Sequence, residues 1–185
     1  MTASGSASQD VDNPVNSDIS NFELIARNIY ETSQFAHNRL KKNRFYPNFR
    51  RESRDFPGRH VCRISVQRLC AAKWDKAVYW ANRTSNGSQH LVGFEIAPAI
   101  ICRNAGFELE PHAHDRNPFH AHIYIRELDK PFEQPEGTME QIMDSSVRHR
   151  LDNMTRQFSF IKIAEIGGLS EVCGCSHCAD CLNAS

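Results

Sequence analysis

The sequence predicts an α+β protein: a small mixed sheet with three to four helices, a disordered N-terminal tail and a cysteine-rich C-terminal tail. Two observations carry the class. Segments of period two and of period ~3.6 follow one another in the order β, α, β, α, β, β, α, the pattern of helices and strands sharing one core. The length, 185 residues with 40% hydrophobic and 24% charged, suits a single domain with loose ends.

Residues 1–18 hold two valines and no aromatic, too little apolar surface to offset the entropy of ordering, so they are expected to be a disordered tail. A single α+β domain is expected over 19–166. Ser20 and Glu23 fit a capping box, and Phe22, Ile25 and Ile29 keep helical spacing, which predicts a helix over about 21 to 33. Arg59–Val66 alternates as a strand. Gln67–Asn82, with Leu69, Trp74, Ala77, Val78 and Ala81, reads as a helix, and 84–89 as a polar turn. Leu91–Ile96 is a short strand; Pro98 suits the first turn of a helix and Gly106 its C-terminal cap. Phe107–Pro111 and Phe119–Ile125 are two further strands, and 129–137, with its two prolines and a glycine, is a loop. Thr138 and Gln141 make a second capping box ahead of an amphipathic helix to about residue 157. Phe158–Ile166 is compatible with a strand, and 167–185 is the cysteine-rich tail.

Charge and context narrow the function. Lys plus Arg and Asp plus Glu are 22 each, so the chain as a whole attracts neither nucleic acid nor an anionic membrane. Arg39 to Arg68 is different: ten basic residues stand against Glu52 and Asp55, a local net charge of +8. Aromatic residues Phe45, Tyr46, Phe49 and Phe56 are interleaved with these arginines, and single-stranded nucleic-acid sites combine charge for phosphates with rings for bases. Arg44, Arg50, Arg51, Arg54 and Arg59 are the candidate nucleic-acid contacts; an acidic protein partner or a merely solvated segment are the competing readings. No membrane-length apolar run and no secretory signal are visible, so a cytoplasmic setting is expected, with cysteines as thiols or metal ligands rather than a disulfide framework.

Two clusters carry chemistry. In Pro111–Ile125 there are four histidines, His112, His114, His120 and His122. On a strand, His120, His122 and Tyr124 share one face while Ala121, Ile123 and Ile125 take the other. Asp115–Phe119 has hairpin length, which would bring His114 near His120 and His112 near His122. Such a group suits Zn, Mn, Ni or Fe. The competing readings are a solvated histidine face, or His120 acting alone as a metal-free acid or base. In the tail, Cys173, Cys175, Cys178 and Cys181 lie within nine residues with two C-x-x-C spacings, a candidate zinc knuckle or else free thiols.

The run Asp115-Arg-Asn-Pro-Phe-His120-Ala-His122-Ile resembles the histidine motif of conjugative relaxases and other HUH nucleases. That resemblance implies a divalent ion held by His120, His122 and an upstream histidine, His112 or His114, polarising a phosphodiester. A relaxase-like order would use Tyr30 or Tyr46 as nucleophile. More broadly, residues 45–125 are similar to a group of small bacterial proteins with aromatic-x-Pro, a Val-x-Arg strand and Pro-x-His-Ala-x-Ile; here these are Phe45-Tyr46-Pro47, Val61-Cys62-Arg63 and Pro118–Ile123. That similarity implies that Arg63 and His120 are paired polar residues of the fold.

The leading expectation is a metal-binding, histidine-centred protein acting on nucleic acid or another phosphodiester, a metal-dependent nuclease- or phosphodiesterase-like hydrolase with a divalent ion, zinc first. His120 would act as ligand or acid/base, and Arg63 would stabilise charge at phosphate. The alternative is a non-catalytic adaptor or assembly subunit with a zinc-stabilised tail and a basic docking segment.

Overall fold

The computed structural model describes residues 17–31, 33–50, 59–85, 89–128, 130–131 and 143–166, with backbone only at 48–50, 59–61, 70–73, 128 and 130–131. The expected N-terminal tail, apart from residues 17 and 18, lies outside the described residues. So do Arg51, Arg54, the Thr138–Gln141 capping box and the whole of 167–185.

The class is α+β. Among the described residues there are ten strands: β1 Leu24–Tyr30, β2 Phe35–Ala36, β3 Arg39–Leu40, β4 Asn48–Arg50, β5 Arg59–Arg68, β6 Leu91–Pro98, β7 Glu108–Pro111, β8 His120–Tyr124, β9 Lys130–Pro131 and β10 Ser159–Lys162. The helices are α1 Leu69–Thr84, α2 Ile100–Asn104, α3 Ser145–Thr155 and α4 Ile163–Ile166. The main sheet runs β10-β6-β1-β5-β8-β7, with β4 and β9 also on β5, and β2-β3 is a separate ribbon. Every strand pairing in the main sheet is antiparallel, where the sequence suggested a mixed sheet.

One element is corrected outright. The segment expected as a helix over 21 to 33 contains β1, the strand between β6 and β5. The reason is arithmetic. Ile25 and Ile29, both fully buried, are four residues apart, which places them on one face of a helix and equally on one face of a strand. Glu23 does not close a capping box. Its carboxylate accepts from Arg68 Nε and Nη2 at 2.6 and 2.8 Å, a buried bidentate pair joining the entry of β1 to the end of β5.

Alternation along the strands builds two apolar layers. Ile25, Cys62, Ile64, Val66, Ala121, Ile123 and Ile125 point to one face, where α3 covers them with Val147, Leu151 and Met154. Ala26, Leu91 and Phe94 point to the other, beneath Leu69, Trp74, Ala77 and Ala81 of α1. Cys62 and Cys102 are buried thiols of the core, and burial pushes the Cys102 thiol up to about 12, against the opposing pull of Arg103. β6 can accept β10 because Gly93 has no side chain: a Cβ there would lie 2.2 Å from the carbonyl oxygen of Ile161. Gly106, with φ of +78°, ends the α2 turn in the left-handed region, as a C-terminal cap requires.

Candidate metal centre

The site is a consequence of period two on β8. With Ala121, Ile123 and Ile125 committed to the core, His120, His122 and Tyr124 must face the other way. The neighbouring strands supply the rest of that face. β5 sets Gln67, Ser65 and Arg63 opposite His120, His122 and Tyr124, and β7 sets Glu110 and Glu108 opposite His122 and Tyr124. Beyond β7 the chain continues one more pairing: His112 N–H donates to the His120 carbonyl at 2.9 Å. A tight turn follows, in which His114 and Asn117 exchange backbone hydrogen bonds of 3.2 and 2.8 Å. The Asn117 Oδ1 accepts from the Phe119 N–H at 3.0 Å and stiffens the return.

This hairpin brings together all four histidines. Ring centroids are 4.4 Å apart for His112 and His122, 4.4 Å for His120 and His122, 5.6 Å for His112 and His120, and 5.0 Å for His114 and His120. Three of them, His112, His120 and His122, offer one nitrogen each with all three atoms within 4.8 Å of one another, so the group can hold a metal ion. His122 is 2% exposed and the other two are partly buried. His114 stands just outside the three-nitrogen group.

The donor set fits a metal on two counts. Imidazole must be neutral to bind, and burial pushes His120 down to about 3, reinforced by His114, His112 and Arg63 and opposed by the His112 carbonyl. His114 is lowered as well, first by burial and then by His112 and Arg116, with Asp115 opposing. Second, His120 Nδ1 lies 3.2 Å from the carbonyl oxygen of His112. An oxygen of that kind only accepts, so Nδ1 carries the proton and Nε2 keeps its lone pair, the outer-sphere arrangement that orients metal-binding histidines.

The histidines line one side of a cavity of about 990 Å³. The sheet explains the opening. β1 pairs with β5 only at Ile25–Arg68 and Ala26–Gln67, and β4 joins β5 further on, at Arg63, Cys62 and Val61. Ile64, Ser65 and Val66 fall in the gap between them and line the cavity. Arg27 bridges this gap, donating to the Ser65 carbonyl at 3.2 Å and the Arg44 carbonyl at 2.9 Å. Among the described residues, the lining includes Arg27, Arg44, Arg63 and Arg116 and contains no aspartate or glutamate. Of these four arginines, Arg44 is paired with the buried Glu95 carboxylate behind the lining.

Arg63 lines the cavity, and its Nη1 is buried without a hydrogen-bond partner; burial raises the pKa of Tyr124, and Arg63 holds it back. Arg44 lines it too, but its guanidinium is clamped on the Glu95 carboxylate by a pair of hydrogen bonds of 2.5 Å, with Glu95 1% exposed. Burial raises the Glu95 pKa, and Arg44 and Arg27 oppose the rise. Arg50 and Arg59 sit on β4 and β5, of which only the backbone is described there; Arg51, Arg54, Cys173, Cys175, Cys178 and Cys181 lie outside the described residues. Tyr30 and Tyr46 both line the cavity; the Tyr30 hydroxyl donates to the Ala81 carbonyl at 2.8 Å, and the Tyr46 hydroxyl lies 3.3 Å from Asp152 Oδ1.

Sequence reasoning missed Arg27, Asn28, Gln67 and Arg116. Gln67 is 1% exposed; its Nε2 donates to Asn28 Oδ1 at 2.6 Å and to the Ala77 carbonyl at 3.2 Å. Reading β1 as a helix removed Arg27 and Asn28 from view. The period-two run Arg63, Ser65, Gln67 was the available signal for Gln67.

No protein-family model, curated protein or solved structure matches the chain. Among the described residues, no helix is long and apolar enough to cross a membrane.

Proposed function

We propose that the protein is a metal-dependent hydrolase of phosphodiesters, with single-stranded nucleic acid as its substrate class and zinc as its metal. The observation that carries this reading is the pairing of a three-imidazole group with an arginine-lined cavity whose described lining holds no carboxylate. Imidazole donors suit zinc and its neighbours in the first transition row, whereas magnesium and calcium are held by carboxylate and carbonyl oxygens, which this group lacks. Three histidines leave a coordination position for substrate, as catalytic zinc sites do. A zinc ion held there supplies Lewis acidity toward a phosphoryl oxygen.

The chain's own residues do the rest. Arg63 and Arg116 line the cavity and offset phosphate charge, and the resemblance of Asp115–His122 to the HUH motif points to the same substrate class. In the overall step a water oxygen bonds to phosphorus, one P–O ester bond breaks, and a proton from the water ends on the departing alcohol. Within the basic stretch, Arg63 lines the cavity together with the histidines, which supports a phosphate-bearing strand as the substrate there.

The test is hydrolysis of bis(4-nitrophenyl) phosphate and of single-stranded DNA and RNA oligonucleotides by the full chain, stripped of metal and then loaded with zinc. Zinc-dependent turnover that falls more than about a hundredfold in His120→Ala, with the circular dichroism unchanged, supports the reading. Absence of turnover on every substrate, or turnover indifferent to His120→Ala, refutes it.

A further inference from the structure

The four histidines are not equivalent, because two of their hydrogen bonds select opposite tautomers. His120 Nδ1 faces the carbonyl oxygen of His112 at 3.2 Å and must carry its proton, which leaves Nε2 as a lone-pair donor to metal. His114 is the reverse. The backbone N–H of Arg116 donates to His114 Nδ1 at 3.2 Å, so Nδ1 uses its lone pair there and the neutral ring carries its proton on Nε2. A ring held that way has an N–H at Nε2, not a lone pair.

Position agrees with chemistry. His114 lies outside the group of three mutually close nitrogens, although its ring centroid is 5.0 Å from that of His120, nearer than the 5.6 Å between His112 and His120. It lines the cavity and is partly exposed, where a ligand can reach it. It is fixed at three atoms: its N–H and carbonyl are bound to Asn117 and its Nδ1 to Arg116. Asp115, the adjacent carboxylate, is exposed and is not part of the cavity lining, so among the described residues no lining carboxylate competes for the donor.

We propose that His114 is a substrate-binding residue and not a metal ligand: its Nε2–H donates to a phosphoryl oxygen of an anion seated on the metal of His112, His120 and His122. This inference rests on the metal-and-phosphodiester reading above and assigns a separate role within that site. In it, Arg116 acts as a positioning residue through its backbone N–H, because that bond sets which His114 nitrogen is protonated.

The experiment titrates the full, metal-stripped chain with cobalt(II) and then titrates the cobalt-loaded protein with inorganic phosphate, by calorimetry and visible absorption. Wild type is compared with His114→Ala, His114→Gln and His120→Ala, each checked for folding by circular dichroism. His114→Ala is expected to bind cobalt within about threefold of wild type, while His120→Ala loses at least about tenfold. Phosphate affinity of cobalt-loaded His114→Ala is expected to fall about tenfold, as for removal of a hydrogen bond to a charged group, and His114→Gln, which keeps an N–H donor, to recover part of it. If His114→Ala loses cobalt as His120→Ala does, His114 is a ligand and the inference is overturned. Unchanged phosphate affinity in His114→Ala overturns it as well, with the metal site intact. If His120→Ala and wild type bind cobalt identically, the metal reading itself fails, and the role assigned to His114 falls with it.

Discussion

Acidification of the metal-free protein gives the sharpest quantitative test of the site's geometry. His120 is held at about 3 in the folded chain against an ordinary value of 6.5, with burial as the largest cause. The unfolded chain therefore binds more protons than the folded one between these values, and stability rises with pH across that window. The contribution is fully present above about pH 6.5 and is lost as pH falls toward about 3. At about 1.4 kcal/mol per pH unit, acidification from near neutrality to about pH 4 passes through roughly 2.5 units of the window and removes about 3 kcal/mol. The assay is urea unfolding of metal-stripped protein at both pH values, for wild type and for His120→Ala. The variant is less stable than wild type near neutrality, because it gives up the hydrogen bond to the His112 carbonyl and the packing around the ring. Its loss on acidification should nevertheless be about 3 kcal/mol smaller. Equal losses in the two proteins would mean that His120 titrates normally in the fold, and its placement as a packed, neutral imidazole would be wrong.

Other consequences follow from particular residues. Glu23→Gln leaves the Arg68 charge buried against a neutral partner and should cost about 3–5 kcal/mol in chemical unfolding. Gly93→Ala forces a Cβ onto the Ile161 carbonyl and should lower stability by about 1–3 kcal/mol, with amide exchange accelerated first in β10. Affinity for single-stranded DNA should fall steeply with salt, and replacing Arg50, Arg51 and Arg54 with serine should reduce the salt slope by about one for each of these arginines that neutralises a phosphate.

The parts of this structure that were legible beforehand share a physical signature. His120-Ala-His-Ile-Tyr-Ile reads unambiguously because a period of two separates small and branched residues from polar ones, and burial of one set fixes the direction of the other. The hairpin was legible because Asp115–Phe119 has both the length and the residues of a turn. The β1 segment was misread because Ile25 and Ile29 satisfy both periods, and because Glu23 has its partner, Arg68, 45 positions away. The cavity could not be read at all. It exists because β1 and β4 meet different ends of β5, a matter of strand registers that local pattern does not encode. For the same reason Arg44 looked like a phosphate-binding residue, while its partner Glu95 comes from β6, 51 residues on.

A metal held by imidazoles in that cavity is read out by X-ray absorption at the zinc edge of the loaded full chain. Shells of nitrogen at about 2.0–2.1 Å with imidazole outer-shell scattering, abolished in His122→Ala, are the predicted result. A first shell of sulfur at about 2.3 Å alone, unchanged in His122→Ala, would contradict it and move the metal to the cysteines.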